Sequence, residues 1–197
     1  FSPFAQWGFR MHPFDDDESD EDQFFLPWLE GDSLAPFVGT PGSLLDAALT
    51  LAGVTSDDVI VDVGSGDGRI PIWAVGRFGA RQGVGIEVDP KLTARAEHNA
   101  QSRGVSRVRF VTADVTSDDE AVTRALSDAT LLTMFLLPEA LVVVAPLLEA
   151  HLKRRGRALC LGWPPKGLVP VAHQTLGDHV ENIDAFLFAA SSLTSSL

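Results

Sequence analysis

Three carboxylates and a run of glycines, each set where an apolar segment ends, are the residues of this chain best suited to chemistry. The stretch Val59-Ile-Val-Asp-Val-Gly-Ser-Gly-Asp-Gly-Arg-Ile70 carries β-branched residues into Asp62 and then places glycine at every second position, Gly64, Gly66 and Gly68. A strand that stops at such a loop lets a ligand touch bare main chain, because glycine has no Cβ to hold it off. Nineteen residues beyond Gly68 a second acid, Glu87, closes another apolar run, Gly83-Val-Gly-Ile-Glu87. A third, Asp114, follows the segment Val108 to Ala113. By hydrogen-bonding capacity Glu87 can accept from both hydroxyls of a ribose and Asp114 from an adenine amine. Asp62 suits an ammonium, directly or through water.

The glycine spacing narrows the ligand. A dinucleotide site wants Gly-x-Gly-x-x-Gly, with the pyrophosphate on the following helix N-terminus. Here the third place of that pattern is Arg69, and the spacing is Gly-x-Gly-x-Gly. An acid before the loop, this altered spacing, and acids closing the second and third strands suit a nucleoside with a cationic amino-acid tail and no phosphates. That description fits S-adenosyl-L-methionine, with Ser65 inside the loop that meets its methionine part. Asp67 is equally suited to bracing the loop or binding. Arg69 is expected to pair with a nearby carboxylate. Asp114 has a competing role, since aspartate at a strand end also caps turns.

Alternating elements must position these residues. Strands are expected at Val59–Val63, Val84–Val88, Val108–Thr112, Thr130–Leu136 and Arg157–Leu161, with weaker ones near 171–176 and 183–189. Between them the pattern predicts helices from a cap near Ser43 to Ala52, over 68–78, from Pro90 to Arg103, over 118–126, and from Pro138 to about Arg155. The last could kink at Pro146 and stop at Gly156. Continuous Val/Ile/Leu strands separated by helices imply an α/β, doubly wound, mostly parallel sheet of seven strands, with ligands beyond the carboxyl ends of the strands.

Composition excludes several classes. The 197 residues carry a net charge of −12 and one cysteine, Cys160. A lone cysteine rules out an internal disulfide framework and fits a reducing compartment. His98, His151 and His173 lack ligand spacing, so no metal site is expected. No apolar run approaches the roughly 20 residues that span a bilayer. There is no basic nucleic-acid footprint, and Lys153-Arg154-Arg155 reads as cations at a helix C-terminus. Acids crowd into Asp15-Asp-Asp-Glu-Ser-Asp-Glu-Asp22. Residues 1–35 are therefore expected to be an acidic, aromatic-rich, partly disordered extension, and residues 36–197 the functional domain. The chain starts at Phe1, so a targeting segment could precede it; the cytoplasm is the expected compartment and the mitochondrion the alternative.

These motifs resemble those of class I, Rossmann-like S-adenosylmethionine-dependent methyltransferases. The closer resemblance is to a small group with an upstream Pro-Phe/Tyr-Val-x-Thr-Pro segment, the Asp-x-Gly-Ser-Gly-Asp-Gly-Arg-Ile loop and a later Leu-Leu-Pro-Glu. Here these read Pro36-Phe-Val-Gly-Thr-Pro41, Asp62 to Ile70, and Leu136-Leu-Pro-Glu139. That group includes the mitochondrial lysine methyltransferases acting on the ATP synthase c-subunit and the adenine nucleotide translocase. The resemblance implies cofactor contacts at Asp62, Gly64, Ser65, Gly66, Gly68, Glu87 and Asp114. It also implies a lid from Phe37 to Thr40, and a methyl-transfer site lined by Phe135, Pro138 and Glu139. Two features depart from the group: the segment Cys160-Leu-Gly-Trp-Pro-Pro165, and the lack of the membrane-anchoring segment of the mitochondrial members.

The expected activity is methyl transfer to a protein lysine, by a monomer without nucleic acid. A small-molecule acceptor on the same fold, or a non-catalytic partner subunit, is the alternative. Glu139 is a candidate proton acceptor, or else an acid favoured by the dipole of its helix. Trp163 could form an aromatic wall with Phe135, or ordinary core. The Asn/Asp-Pro-Pro-Tyr/Phe motif of nucleic-acid amino methylases is replaced by Leu137-Pro138-Glu139.

Overall fold

The computed structural model describes residues 42–177 and 182–193. The expected extension 1–35, its acidic block and the Phe37–Thr40 lid lie outside the described residues. The chain alternates α1 (Gly42–Leu51), β1 (Val59–Val63), α2 (Arg69–Gly76), β2 (Gln82–Glu87), α3 (Pro90–Ser102), β3 (Val108–Thr112), α4 (Glu120–Asp128), β4 (Leu131–Met134), α5 (Pro138–Lys153) and β5 (Arg157–Leu161). Two further strands, β6 (Ala172–Gly177) and β7 (Asn182–Phe188), complete one sheet in the order β3-β2-β1-β4-β5-β7-β6. The first five strands run parallel, and β7 is antiparallel to both β5 and β6.

Why this sheet is doubly wound follows from its central strands. All residues of β1 and β4 are buried, so each strand needs cover on both faces. One face packs Val61, Val63, Leu132 and Met134 against α4 and α5 through Val122, Leu141, Val144 and Leu148. The other packs Ile60, Leu131, Leu159 and Leu161 against α1 and α2 through Leu45, Leu49, Ile70 and Ala74. The chain order reverses between β1 and β4, where the crevice of such sheets opens. At the opposite end, Asp58 accepts from Thr55 N (2.8 Å), Thr130 Oγ1 (2.6 Å) and Arg157 Nη2 (2.5 Å), tying three strands together. Burial alone would raise the Asp58 pKa, but these donors hold it below the usual carboxylate range.

Two local expectations are corrected. The strand expected to reach Leu136 stops at Met134, and the buried Leu136 packs over Gly64 instead. At Gly64 a Cβ would meet Leu136 Cδ2 at 2.9 Å. The left-handed residue that ends α5 is Arg155 (φ 65), not Gly156. Gly156 is needed for a different reason: a Cβ there would collide with the imidazole of His151, which is buried and hydrogen-bonded to the Arg157 carbonyl at 2.9 Å. The helix α5 itself runs through Pro146 to Lys153, close to the expected end.

Candidate functional site

The glycine loop is built by its own backbone and by β2. Gly64, Gly66 and Gly68 all take positive φ, at 74°, 53° and 78°, a conformation that disfavours any side chain. The amides of Gly64 and Ser65 both donate to Ile86 O, at 2.9 and 3.1 Å. Gly68 also has no room for a Cβ, which would lie 2.6 Å from the Phe110 ring. Asp67, 4 % exposed, holds the loop from the helix side: Arg69 donates to it from Nε (3.0 Å) and Nη2 (2.7 Å), and Asn99 Nδ2 donates to its carbonyl. Arg69 pairs with a carboxylate as expected.

Glu87 ends β2 facing the loop. Its Oε2 accepts from Gly66 N at 2.9 Å, and its Oε1 from Val88 N and Asp89 N at 2.8 and 3.0 Å. The carboxylate thus braces loop and strand end together, and still has acceptor capacity left for a ligand hydroxyl. Asp62 lies one position before the end of β1, 2 % exposed, opposite Thr133 on β4. Thr133 Oγ1 donates to its Oδ1 at 2.7 Å. Burial, with further push from the charges of Glu87 and Asp67, raises the Asp62 pKa to about 7 against the Thr133 bond. Asp114 is exposed beyond β3 and does cap a turn, its Oδ1 accepting from Thr116 N and Oγ1 at 2.8 and 2.7 Å. Those bonds hold its pKa below the usual carboxylate range; its Oδ2 takes no bond among the described residues.

The residues expected to line the acceptor side lie at the carboxyl ends of β4 and β5. Phe135 follows β4, and Pro138 and Glu139 open α5, where proline's fixed φ suits the first turn. Phe135 and Pro138 are half-buried and Glu139 is exposed. Trp163 follows β5, 41 % exposed, with its ring centroid 6.4 Å from that of Phe135. The expected aromatic pair therefore exists. Phe37 and Thr40 lie outside the described residues.

Sequence reasoning missed three supporting residues. Thr133 is the one polar residue in the apolar strand Leu131-Leu-Thr-Met134, and that oddity could have flagged it. Gly85 leaves space for Ser65 and Phe110, both of which a Cβ there would strike. Its alternation with Gly83 in a strand was the available signal. Leu136 was read only as part of a motif, not as a wall on Gly64.

A cofactor fits this arrangement. Ser65 Oγ is buried with no hydrogen-bond partner among the described residues, and Asp62 is a buried acid without a cation. Both lie beside main chain that side chains cannot cover. Among the described residues no cluster of His, Cys, Asp or Glu could hold a metal ion. His98 is exposed, His151 is core, and His173 pairs with Asp184. Burial pushes the Cys160 thiol up to about 12. No described helix is long and apolar enough to cross a membrane.

Comparisons with known proteins show the family. The profile of the ANTKMT methyltransferase domain matches residues 62–172. A protein-lysine N-methyltransferase of Saccharolobus islandicus is 34% identical over 142 residues, covering 69% of this chain and 84% of that protein. The crystal structure of an RNA methyltransferase from Salinibacter ruber, in complex with S-adenosyl-L-homocysteine, superposes with a TM-score of 0.65 at 33% identity, covering 77% of this chain and 94% of that one. A 23S rRNA (uracil(1939)-C(5))-methyltransferase of Aeromonas salmonicida is 36% identical, but over only 17% of its own length.

Proposed function

Since the chain belongs to the ANTKMT methyltransferase domain family, we propose that its methyl acceptor is a lysine side chain of a protein. It is an S-adenosyl-L-methionine-dependent methyltransferase. The observation that carries the lysine assignment is the likeness along 84% of the archaeal protein-lysine N-methyltransferase. The replacement of the amine-gripping motif by Leu137-Pro138-Glu139 supports it. A single buried cysteine suits a reducing compartment, and the cytoplasm is the compartment this reading takes.

When bound, S-adenosyl-L-methionine supplies an electrophilic methyl group on a sulfonium. Asp62 would hold its ammonium, Glu87 its ribose hydroxyls and Asp114 its adenine amine. The main chain of Gly64, Gly66 and Gly68, with Ser65, would take the methionine part. The residues beyond β4 orient the nucleophile: Phe135 and Pro138 line the approach and exclude water, and Glu139 accepts the proton that a lysine must lose. Such positioning can contribute ~7–11 kcal/mol to a displacement. A lysine must also arrive neutral, which an apolar approach favours by penalising its charge.

The Salinibacter ruber likeness favours a second reading, an RNA acceptor. One experiment separates the two. The protein is incubated with cofactor carrying a labelled methyl group and an extract of its native cells, and the products are hydrolysed. Label in methylated lysine, unaffected by ribonuclease, is the expected result. Label lost to ribonuclease, found in a soluble metabolite, or absent would overturn the lysine assignment.

A further inference from the structure

Thr133 is the polar residue of β4, a strand whose residues are all buried. Its hydroxyl has one partner among the described residues, Asp62 Oδ1 at 2.7 Å. Packing does not ask for a hydroxyl here, since valine has nearly the same shape and carries no polar group to take out of water. Nor does the pairing of β1 with β4 ask for it, because main chain sets that register and apolar residues fill it on either side. What the hydroxyl does is local to the carboxylate. The last torsion of an aspartate side chain is broad, so a carboxylate held by one oxygen keeps a direction that a free one does not. Asp62 Oδ1 is held by Thr133, and Oδ2 takes no bond among the described residues. The charges that bear on Asp62 are Glu87 at the end of β2 and Asp67 in the glycine loop, the latter paired with Arg69 of α2; β4 brings none.

We propose that Thr133 is a positioning residue for the cofactor: its hydroxyl holds Asp62 Oδ1 so that Oδ2 is presented to the ligand ammonium. The proposal rests on the placement of that ammonium at Asp62 given above. The bond does two things at once. It fixes the direction of the free oxygen. It is also stronger to a carboxylate than to the neutral acid, so it favours the charge that an ammonium needs. In this it works against burial and the charges of Glu87 and Asp67, which push the Asp62 pKa up to about 7. Without the bond the carboxyl would keep its proton to higher pH, and a ligand would have to displace that proton to bind.

The test compares Thr133→Val, which removes the hydroxyl and keeps the shape, with Thr133→Ser, which keeps the hydroxyl. Each is titrated with S-adenosylhomocysteine from pH 5 to 9, beside the wild type, Asp62→Asn and the protein carrying both Asp62→Asn and Thr133→Val. In the wild type, affinity is expected to rise with pH through about 7. Thr133→Val should move that midpoint up by about one pH unit and bind about tenfold more weakly at pH 7, with the deficit shrinking towards pH 9. Thr133→Ser should restore both midpoint and affinity. On top of Asp62→Asn, Thr133→Val should cost less than about twofold, because a residue that acts through another loses its effect once the other is gone. A valine variant with the wild-type affinity and midpoint overturns the role. So does a loss that is equal at every pH or undiminished on top of Asp62→Asn, the pattern of a hydroxyl that only supports the fold. If Asp62→Asn itself binds like the wild type, the ammonium is not at Asp62, and the positioning role falls with that placement. A crystal of the wild type with S-adenosylhomocysteine checks the geometry without any variant. The Asp62 oxygen not held by Thr133 should lie nearer the ligand nitrogen; the reverse order, or an Asp62 turned away from Thr133, overturns the proposal.

Discussion

Replacing Glu87 by alanine is expected to weaken binding of S-adenosylhomocysteine by about 3 kcal/mol, somewhat over a hundredfold in Kd, measured by calorimetric titration. Two losses combine. The ribose hydroxyls would lose a charged acceptor, and the loop would lose the bond from Gly66 N that fixes it to β2. The same substitution leaves the amides of Gly66, Val88 and Asp89 without their carboxylate, so unfolding by urea should also come at a lower midpoint. Glu87→Gln keeps shape and one acceptor oxygen but not the charge, and should fall between the two. An alanine variant that binds like the wild type would mean that the ligand does not lie along the end of β2.

Asp62→Asn is expected to move stability and binding in opposite directions. Asp62 is buried beside Thr133 and its pKa is pushed up to about 7. In the unfolded chain the same carboxyl ionises near 3.8. Between those values the unfolded state has released a proton that the folded state still holds. Stability from this group is therefore full at low pH and declines as pH rises towards 7, by about 1.4 kcal/mol per unit, after which it is flat. Asparagine cannot ionise, so the variant should lack that decline and be more stable than the wild type at pH 8, on the order of 4 kcal/mol. Its affinity for S-adenosylhomocysteine should fall by about 2 kcal/mol, roughly thirtyfold, because the ligand ammonium loses its counter-charge. In the wild type, binding should strengthen as pH rises through about 7 and release a proton. Chemical denaturation from pH 4 to 8, alongside titrations in two buffers, reads both effects. A variant with the wild-type slope of stability would mean that Asp62 is ionised in the empty protein.

The parts of this site that could be read from the sequence are those whose causes are local. Val59–Val63 and the glycines after it announce a strand and a loop within a dozen residues, and the structure keeps the strand boundaries. Glu87 was found because an acid closes an apolar run; that it also braces Gly66 was not legible, since that bond crosses 21 positions. Thr133 meets Asp62 across 71 positions, and only the strand order brings them together. Gly156 shows how a sound rule can misplace a cause. Glycine past a helix end usually supplies a left-handed turn, but here Arg155 takes that conformation and Gly156 gives room to the ring of His151. The early end of β4 is a similar case, since Leu136 packs over Gly64 in a contact that no single-strand pattern encodes. Phe135 and Trp163 stood out as aromatics, yet their adjacency needed the pairing of β4 with β5.

A crystal of the full chain grown with S-adenosylhomocysteine tests the placement of the cofactor most directly. The ligand should span the carboxyl ends of β1, β2 and β3, with its ammonium at Asp62, its ribose at Glu87, its adenine towards Asp114 and main chain of the glycine loop against its amino-acid part. Density for the ligand elsewhere, with Asp62 and Glu87 touching none of it, would contradict the account.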